Sequence, residues 1–494
     1  MTGLPIVTHF STWRNHLPPL LRQSKHPPQT DLHTLWTHPE RLPRWITDSA
    51  PAMRLLDLLG PLPWQNFPER DLARNWGQTT VPYAALTAAY LLQLNEHRVH
   101  MSDLRAYLLE HPAFIWLFRF PLVPDRASPY GFDPHASLPT QRHFTRLLRK
   151  MPNAIPQFLL GASVTAILHA LAAAGCTQVA QAISLDTKHV IAWVRENNPK
   201  AYVAHRYDKS QQPSGDPDCR LGCKRRHNQR SSPDDVSTPR KNPVPASTLA
   251  VGEYYWGYGS GVVATKVSDW GEFVLAELTQ PFNCSDVSYF FPLMTQTEQR
   301  LGFRPRTAAL DAGFDAFYVY EFFHRDDDSA AFAAVPFVQK GGYKRSDRRF
   351  SPEGLPLCAA GLPMPRKFTY TDRTVTLIEH ERGKYICPLQ AQDIPDDLSC
   401  PVNHKRWPQG GCTTTMPTSV GARVRYTLDR QSDAYQDAYR QRTATERINS
   451  QAKALGIERP HLRNGQAITN RNTLIYTLIN LRALQRIRRR LDEN

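Results

Sequence analysis

Three acidic residues lie in sequence surroundings that suit metal-dependent chemistry on phosphate esters. Asp186 follows the apolar run in AISLDTK, Asp311 follows the one in AALDAGFD, and Glu446 lies within AYRQRTATERINSQAKALG. A carboxylate at the end of a buried strand is held at the rim of a sheet, where a ligand can reach it. Mg²⁺ and Mn²⁺ prefer such oxygen ligands, and a pair of these ions can promote an in-line displacement at phosphorus. Turn capping is the alternative for either aspartate taken alone.

The stretch 438–460 predicts one helix that presents Glu446 among cations. At about 100° per residue, four side chains share a stripe about 60° wide. These are Tyr439, Arg442, Glu446 and Lys453. The opposite face is apolar and consists of Ala444, Ile448, Ala452 and Leu455, and Gly456 is placed to end the helix. Taken alone, such a stripe is an ordinary solvated face.

Composition indicates a globular protein with a polyanionic partner. The chain has 494 residues with 41% hydrophobic content, and Lys and Arg outnumber Asp and Glu by 60 to 45, which gives a net charge of +15. This balance favours nucleic acid over a membrane surface. No secretory signal is recognised at the start, and the apolar run at 158–176 is interpreted as a buried helix. We therefore expect a cytoplasmic protein associated with the bacterial nucleoid.

The eight cysteines are scattered and predict reduced thiols, not a disulfide framework. Two clusters have the residue types that bind zinc, but neither contains a CxxC pair. Free thiols are the preferred interpretation, so no zinc site is predicted. The clusters are His205, Cys219, Cys223 and His227, and Cys387, Cys400, His404 and Cys412.

Hydrophobic periodicity predicts an α/β fold in five segments. An irregular lead-in (1–64) precedes a helical, helix-turn-helix-like DNA-binding region (65–176). A mixed-sheet core (177–329) is interrupted by a β-strand-rich insertion (330–432), in which FTYTDRTVTLIEHERGKYICPL alternates like a hairpin. The core is completed by 433–494, which ends in a long amphipathic, basic helix. In the first core segment we expect a strand that ends near Asp186, a turn at Thr187 and Lys188, and a second strand. Residues 196–247 are expected to be loop.

Three blocks in order resemble the DDE transposases of bacterial insertion sequences, which have an RNase H-like catalytic core. They are ISLDTKHVIAWV, RPRTAALDAGFDAFYVYE and the 438–460 stretch. One branch of that family has Tyr, two residues, Arg, three residues, Glu, six residues and Lys, and Tyr439, Arg442, Glu446 and Lys453 fit every gap. The resemblance covers roughly residues 178 to 485, including the closing helix TLIYTLINLRAL.

The resemblance implies functions for individual residues. Asp186, Asp311 and Glu446 would bind two Mg²⁺ or Mn²⁺ ions and catalyse DNA cleavage and strand transfer. Tyr439, Arg442 and Lys453 would contact DNA near the cut, and a homodimer would hold the paired terminal repeats of the element. Further DNA-backbone contacts are predicted outside the three blocks, at Arg142, Arg146 and Arg149 on one helix and at Arg220, Lys224, Arg225 and Arg226 in the long loop. For the three arginines of the helix, an ordinary exposed basic face is an equally good interpretation. Asp315 is interpreted as a helix cap.

Two rival functions stay open. The chain could be an RNase H-like nuclease that cuts without joining, or a catalytically inactive, domesticated DNA-binding protein. All three carboxylates are present, which argues against the inactive protein, whereas only the Tyr–Arg–Glu–Lys spacing and the basic flanks argue against the nuclease.

Overall fold

A mixed β-sheet forms the centre of the protein in a computed structural model. The structure describes residues 32–70, 80–223, 254–337, 348–373, 378–391 and 399–493. The main strands are β3 (Ala182–Ile191), β4 (Arg220–Cys223), β5 (Tyr254–Val267), β6 (Gly271–Pro281), β7 (Thr307–Leu310) and β8 (Phe332–Ala334), and a small hairpin upstream pairs β1 (Val123–Pro124) with β2 (Phe132–Asp133). The predicted α/β class with a mixed sheet is confirmed.

The order of the strands places β3 in the middle of the sheet. On one side β3 pairs antiparallel with β5, and the other edge of β5 pairs with both β6 and β4. On its other side β3 pairs parallel with β7, and β7 pairs parallel with β8. The mostly apolar burial of β5 and β6 agrees with strands that are covered on both faces. The order is therefore β6–β5–β3–β7–β8, with β4 beside β6 on the edge of β5.

The strand that carries Asp186 is longer than expected. Its pairing with β5 continues without a break from Ile183 to Ile191, so the predicted turn at Thr187 and Lys188 is wrong. What ends near Asp186 is the parallel ladder with β7, because β7 stops at Leu310, opposite Leu185. The strand β4 also lies inside the segment predicted to be loop.

Helices in the first part of the chain pack into one apolar core together with the sheet. Their bounds are α1 (Leu32–Thr37), α2 (Arg44–Thr47), α3 (Ala50–Leu59), α4 (Tyr83–Asn95), α5 (Met101–Glu110), α6 (Pro112–Leu117), α7 (Pro134–Ser137), α8 (Gln141–Lys150) and α9 (Ala154–Ala173). The lead-in therefore contains three helices from residue 32 onward, with Leu55 and Leu59 buried. One apolar cluster crosses the predicted boundaries at 64 and 176. The helix-turn-helix unit stays a prediction.

The helix α9 is the one element in the described ranges whose length and hydropathy would suffice to cross a membrane. In the fold it packs on the sheet and on the last helix, and Gln157 donates from Nε2 to Glu277 Oε2 of β6 at 3.0 Å. The prediction of a helix packed against a sheet is confirmed for this run.

Later helices complete the fold: α10 (Phe290–Leu301), α11 (Phe317–Phe323), α12 (Val420–Thr427), α13 (Asp433–Arg440), α14 (Thr443–Ala454) and α15 (Gly465–Glu493). The helix α15 was expected to be amphipathic, but from Ala467 to Leu481 it is buried on most of its faces. Its buried Asn480 is fully paired with β6: Asn480 Oδ1 accepts from Val274 N–H, and Asn480 Nδ2 donates to Val274 O, both at 2.8 Å.

The insertion contains a separate three-stranded sheet. The predicted hairpin is present as β9 (Arg366–Asp372) and β10 (His380–Ile386), and β11 (Thr413–Pro417) adds a third antiparallel strand. Asp315 does not cap α11, because Ala316 is at the cap position. Instead, the fully buried Asp315 side chain accepts from Arg425 Nε of α12 at 2.6 Å, so this interpretation is corrected to an ion pair that joins the insertion to the main sheet.

The predicted single helix over 438–455 is two helices. The break falls at Gln441 and Arg442, whose N–H groups donate to the carbonyl oxygens three residues earlier. Both residues keep right-handed helical dihedrals, so this tighter turn interrupts the hydrogen-bond ladder without reversing the chain. The apolar face of α14 is buried, and Gly456 ends the helix with φ of 79°. These two predictions are confirmed.

Candidate active site

Asp186 and Asp311 lie next to each other on neighbouring parallel strands. Leu185 and Leu310 form the last pair of the β3–β7 ladder, and each aspartate is the following residue. The Asp186 backbone stays in the sheet opposite Val262 of β5. Asp311 leaves the sheet and begins a short 3₁₀ helix, where its Oδ1 accepts from Gly313 N–H at 2.7 Å. The two carboxylates that the sequence predicted therefore meet where β7 ends.

The pair carries more negative charge than its surroundings neutralise. Burial, followed by the charge on Asp311, raises the pKa of Asp186 to about 6, against smaller lowering by the Thr187 N–H group and Arg442. Burial, followed by the charge of Asp286, likewise raises the pKa of Asp311. Carboxylates held together in this way favour a proton or a cation.

A third carboxylate, Asp286, was missed in the sequence. It begins a 3₁₀ helix after β6, and its Oδ1 accepts from Thr187 Oγ1 at 2.8 Å. A Cβ on Gly313 would lie 2.6 Å from Asp286 Oδ2 and 2.8 Å from Asp311 Oδ1, so glycine leaves the two carboxylates room. Asp286 lies in the polar stretch NCSDVS, which has no apolar run before it and gave no signal of a strand-end carboxylate.

Glu446 is on the first turn of α14 and is bound to Arg442. Arg442 Nη2 donates to Glu446 Oε1 at 2.6 Å, and the Glu446 side chain is 51% exposed. Within the described residues no group of three or more His, Cys, Asp or Glu side chains is arranged to hold a metal ion. Glu446 therefore does not complete a ligand set with the aspartates, and its function as a metal ligand stays a prediction.

Asn449 connects α14 directly to Asp186. Its Nδ2 donates to Asp186 Oδ2 at 3.0 Å, while its buried Oδ1 has no hydrogen-bond partner in the described part of the chain. Asn449 follows Glu446 by three residues and falls at the edge of the same helical stripe. The spacing could therefore have identified it, but an amide attracts less attention than a charge.

Of the residues predicted to bind DNA near the cut, Arg442 and Tyr439 lie closest to the aspartates. The charge of Arg442 lowers the pKa of both Asp186 and Asp311. Tyr439 is on α13, so it is not on the helix that carries Glu446, and its ring stacks on Tyr435 with centroids 5.9 Å apart. Burial raises the pKa of Tyr439, and the negative charge of Asp311 adds to this. Its hydroxyl thus stays a neutral hydrogen-bonding group.

Lys453 lies farther along α14, and both it and Lys188 of β3 form ion pairs with the carboxylate of Glu458. Lys188 Nζ lies 2.6 Å from Glu458 Oε1, and Lys453 Nζ lies 3.5 Å from Glu458 Oε2. Burial alone would raise the pKa of Glu458, but the two lysines outweigh it and lower the pKa. The Lys453 side chain is 64% exposed and stays accessible to a ligand.

The three arginines of α8 lie on its exposed face, opposite buried Phe144, Leu147 and Leu148. Arg146 bonds to His143 of the same helix at 2.6 Å. Arg149 borders a cavity of about 330 Å³ that it shares with Trp193, His461 and Arg463. The half-exposed Trp193 ring stacks on His461 with centroids 5.2 Å apart, and the guanidinium of Arg463 lies 5.2 Å from the Trp193 ring centroid. Sequence reasoning missed this aromatic and basic cleft just beyond β3.

Arg220 is exposed but turned onto its own backbone, because its Nη1 donates to Pro217 O and Cys219 O, both at 2.8 Å. In the sheet, Arg220 of β4 lies opposite Gly257 of β5, and Gly257 lies opposite Ile191 of β3 on its other side. Ile191 is five residues farther along β3 than Asp186. At about 3.3 Å per residue this is roughly 17 Å from the aspartates. Lys224, Arg225, Arg226 and His227 lie outside the described residues. The structure thus places Arg442 near enough to lower the pKa of both aspartates but leaves Arg220 distant.

Comparison with known proteins adds no family to this geometry. No protein-family model matches the chain, and no curated protein matches its sequence.

Proposed function

We propose that this chain is a DDE transposase with an RNase H-like core, which cleaves DNA at the ends of its own insertion sequence and joins those ends to target DNA. The observation that carries the proposal is the adjacency of Asp186 and Asp311 where the β3–β7 ladder ends, with Arg442 and Asn449 facing them. The strand order β6–β5–β3–β7–β8, antiparallel on one side of β3 and parallel on the other, agrees with the RNase H-like core that the resemblance implies.

The donor set fits Mg²⁺ or Mn²⁺. Asp186 and Asp311 supply oxygen ligands of the type these ions bind, and the raised pKa of each shows negative charge that a cation would relieve. Asp286 adds a carboxylate beside them. Glu446 would bind the ions once its ion pair with Arg442 is broken. When bound, two such ions supply an activated oxygen nucleophile and stabilise the leaving oxygen.

The other residues hold the DNA strand. Arg442 and Lys453 offer positive charge to phosphates beside the carboxylates, and Tyr439 offers a hydroxyl and a ring edge. Asn449 fixes the Asp186 carboxylate through Oδ2. The cleft at Trp193 and Arg149 extends this surface by a stacking platform with cations around it. A homodimer on paired ends, working in the bacterial cytoplasm at the nucleoid, is the proposed form.

The test uses the purified full chain and a supercoiled plasmid that carries the DNA flanking its gene. With Mg²⁺ or Mn²⁺ we expect nicking, cleavage and joining to a second plasmid. Asp186→Asn, Asp311→Asn and Glu446→Gln should each lower cleavage by about a hundredfold or more while DNA binding is kept. Asp437→Asn is the matched control, because Asp437 pairs with Arg440 on the exposed face of α13.

The results also separate the rival functions. Cleavage without joining would identify a nuclease. The ion pair between Arg442 and Glu446 favours the inactive DNA-binding protein, and metal-independent DNA binding with no cleavage would identify it. Full cleavage by the Asp186 or Asp311 variant would overturn the site itself.

A further inference from the structure

Four cysteines of the insertion surround one small cavity. Cys358, Cys387, Cys400 and Cys412 line it, together with His404 and apolar neighbours. Its volume of about 10 Å³ is close to that of a single water-sized sphere. All eight cysteines of the chain lie in described residues, and none is in a disulfide. The cavity lies at one end of the three-stranded sheet, away from the carboxylates.

The pairing of the strands brings these cysteines together. Ile386 and Thr413 form the last pair of the β10–β11 ladder; Cys387 follows one of them and Cys412 precedes the other. A Cβ on Gly411 would lie 2.5 Å from Cys387 Cβ, and Gly411 has φ of 77°, so this close approach requires glycine. The two cysteines therefore face each other at the same end of the sheet.

The other two cysteines reach the cavity from turns. Cys358 N–H donates to Leu362 O at 2.9 Å, and Cys400 O accepts from Asn403 N–H at 3.0 Å. The Cys412 thiol lies among the others, because all four cysteines line the same cavity. His404 is different, because its Nδ1 accepts from Arg406 N–H at 3.3 Å in its own turn.

The insertion has only a small apolar core of its own. Its apolar cluster contains only four buried residues among those described, namely Met364, Tyr385, Met416 and Ala422. Phe368 and Tyr370 of β9 are 47% and 40% exposed. Small units with such a core commonly need a metal or a disulfide to stay folded.

We propose that Cys358, Cys387, Cys400 and Cys412 bind one structural Zn²⁺ ion as a tetrahedral four-thiolate site. Each thiol releases its proton to solvent as its sulfur binds the ion, and no electron is transferred. In the described ranges the sulfur atoms are not yet arranged as a closed ligand set, so binding requires rotation about the Cα–Cβ bonds. The proposal concerns stability of the insertion and is independent of the proposed function.

The test measures metal in the full chain purified under reducing conditions without added metal or chelator. Elemental analysis should find about one Zn²⁺ per chain. Replacing it with Co²⁺ should give the thiolate charge-transfer and tetrahedral d–d absorption bands. Removing it with a chelator should expose the insertion to limited proteolysis within 348–417 and leave the main sheet resistant.

Matched variants locate the site. Cys387→Ser and Cys412→Ser should abolish stoichiometric zinc, whereas Cys284→Ser and Cys176→Ser, outside the insertion, should keep it. His404→Ala should also keep it, because the site uses four sulfurs. If the serine variants fail to fold, the wild-type chain still decides: absence of zinc, Co²⁺ bands without thiolate character, or a disulfide between Cys387 and Cys412 would overturn the proposal.

Discussion

Asp186 is held in a position that disfavours its ionised form. It lies in the middle of a strand, accepts from Thr187 N–H at 2.9 Å and from Asn449 Nδ2, and has Asp311 and Asp286 as charged neighbours. No lysine or arginine pairs directly with it among the described contacts. Such an arrangement is typical of ionisable groups whose pKa serves function more than folding.

We predict that Asp186→Asn stabilises the metal-free protein at pH 8. Because the folded pKa of about 6 is above the unfolded value, ionised Asp186 destabilises the fold. This penalty is absent below about pH 4, grows up to about pH 6 and is complete above it. The variant should gain about 1 to 3 kcal/mol in free energy of unfolding at pH 8 and almost nothing at pH 4. Urea denaturation at both pH values measures this.

The exposed Asp437→Asn serves as the control and should change neither value. Mn²⁺ should raise the melting temperature of the wild-type chain but not that of Asp186→Asn, since only the former keeps the ligand. Equal free energies of unfolding for the wild-type chain and Asp186→Asn at pH 8 would show that the ionised Asp186 side chain does not destabilise the fold.

At the scale of elements, the segment after α14 closes the site against β3. Ile191 N–H donates to Glu458 O at 2.8 Å, and the Glu458 side chain holds Lys188 of β3 and Lys453 of α14. The Glu458 carboxylate is therefore the ion-pair partner of two lysines that border the proposed DNA path. Under the proposed function, Glu458 would compete with DNA phosphates for these two lysines.

We predict that Glu458→Gln tightens DNA binding, because it releases Lys188 and Lys453 for phosphate contacts. The slope of log affinity against log salt should become steeper by about 1 to 2, whereas Lys453→Gln should make it shallower by about 1. Fluorescence anisotropy over a salt series with duplex DNA measures both. Glu298→Gln is the control, since Glu298 pairs with Arg304 elsewhere. Weaker binding by Glu458→Gln would contradict the competition.

At the scale of the whole molecule, α15 joins the early helices to the sheet. It packs against α9, β6, α8 and α4, and its basic end is partly used internally: Arg488 stacks over Trp36 at 4.4 Å, and Gln485 donates to Asp57. Buried polar pairs fix the register of α15 on β6, among them Thr473 Oγ1, which donates to Glu277 Oε2 at 2.6 Å. Specific hydrogen bonds, not apolar contact alone, set its position.

We predict that Asn480→Leu destabilises the protein by about 2 to 5 kcal/mol, because Val274 would lose partners for both its N–H and its C=O in a buried place. Gln485→Leu, on the same helix but only partly buried, should cost less than about 1 kcal/mol. The shift in the urea midpoint of the main transition measures both changes. A loss for Asn480→Leu no larger than that for Gln485→Leu would show that Asn480 does not fix the helix.

Local patterns in the sequence determined a good part of this protein. The apolar runs before Asp186 and Asp311, the face and the end of α14, and the hairpin β9–β10 follow from periodicity and glycine placement, which are properties of short stretches. The same reasoning wrongly predicted a turn after Asp186, because a polar residue that follows an apolar run is typical of the end of a strand. The continuous pairing with β5, formed by residues more than sixty positions later, keeps the strand going.

Only the tertiary structure decided which distant residues meet. Register between β3 and β7 places Asp186 beside Asp311, and the turn after β6 brings in Asp286, which no local pattern marks. The fold likewise gathers Cys358 with Cys387, Cys400 and Cys412, whereas the sequence spacing had grouped only the last three, together with His404. Periodicity records which face of an element is buried, whereas contacts between elements depend on register and packing across long loops. The sequence by itself therefore determined the candidate carboxylates, and the fold decided their neighbours.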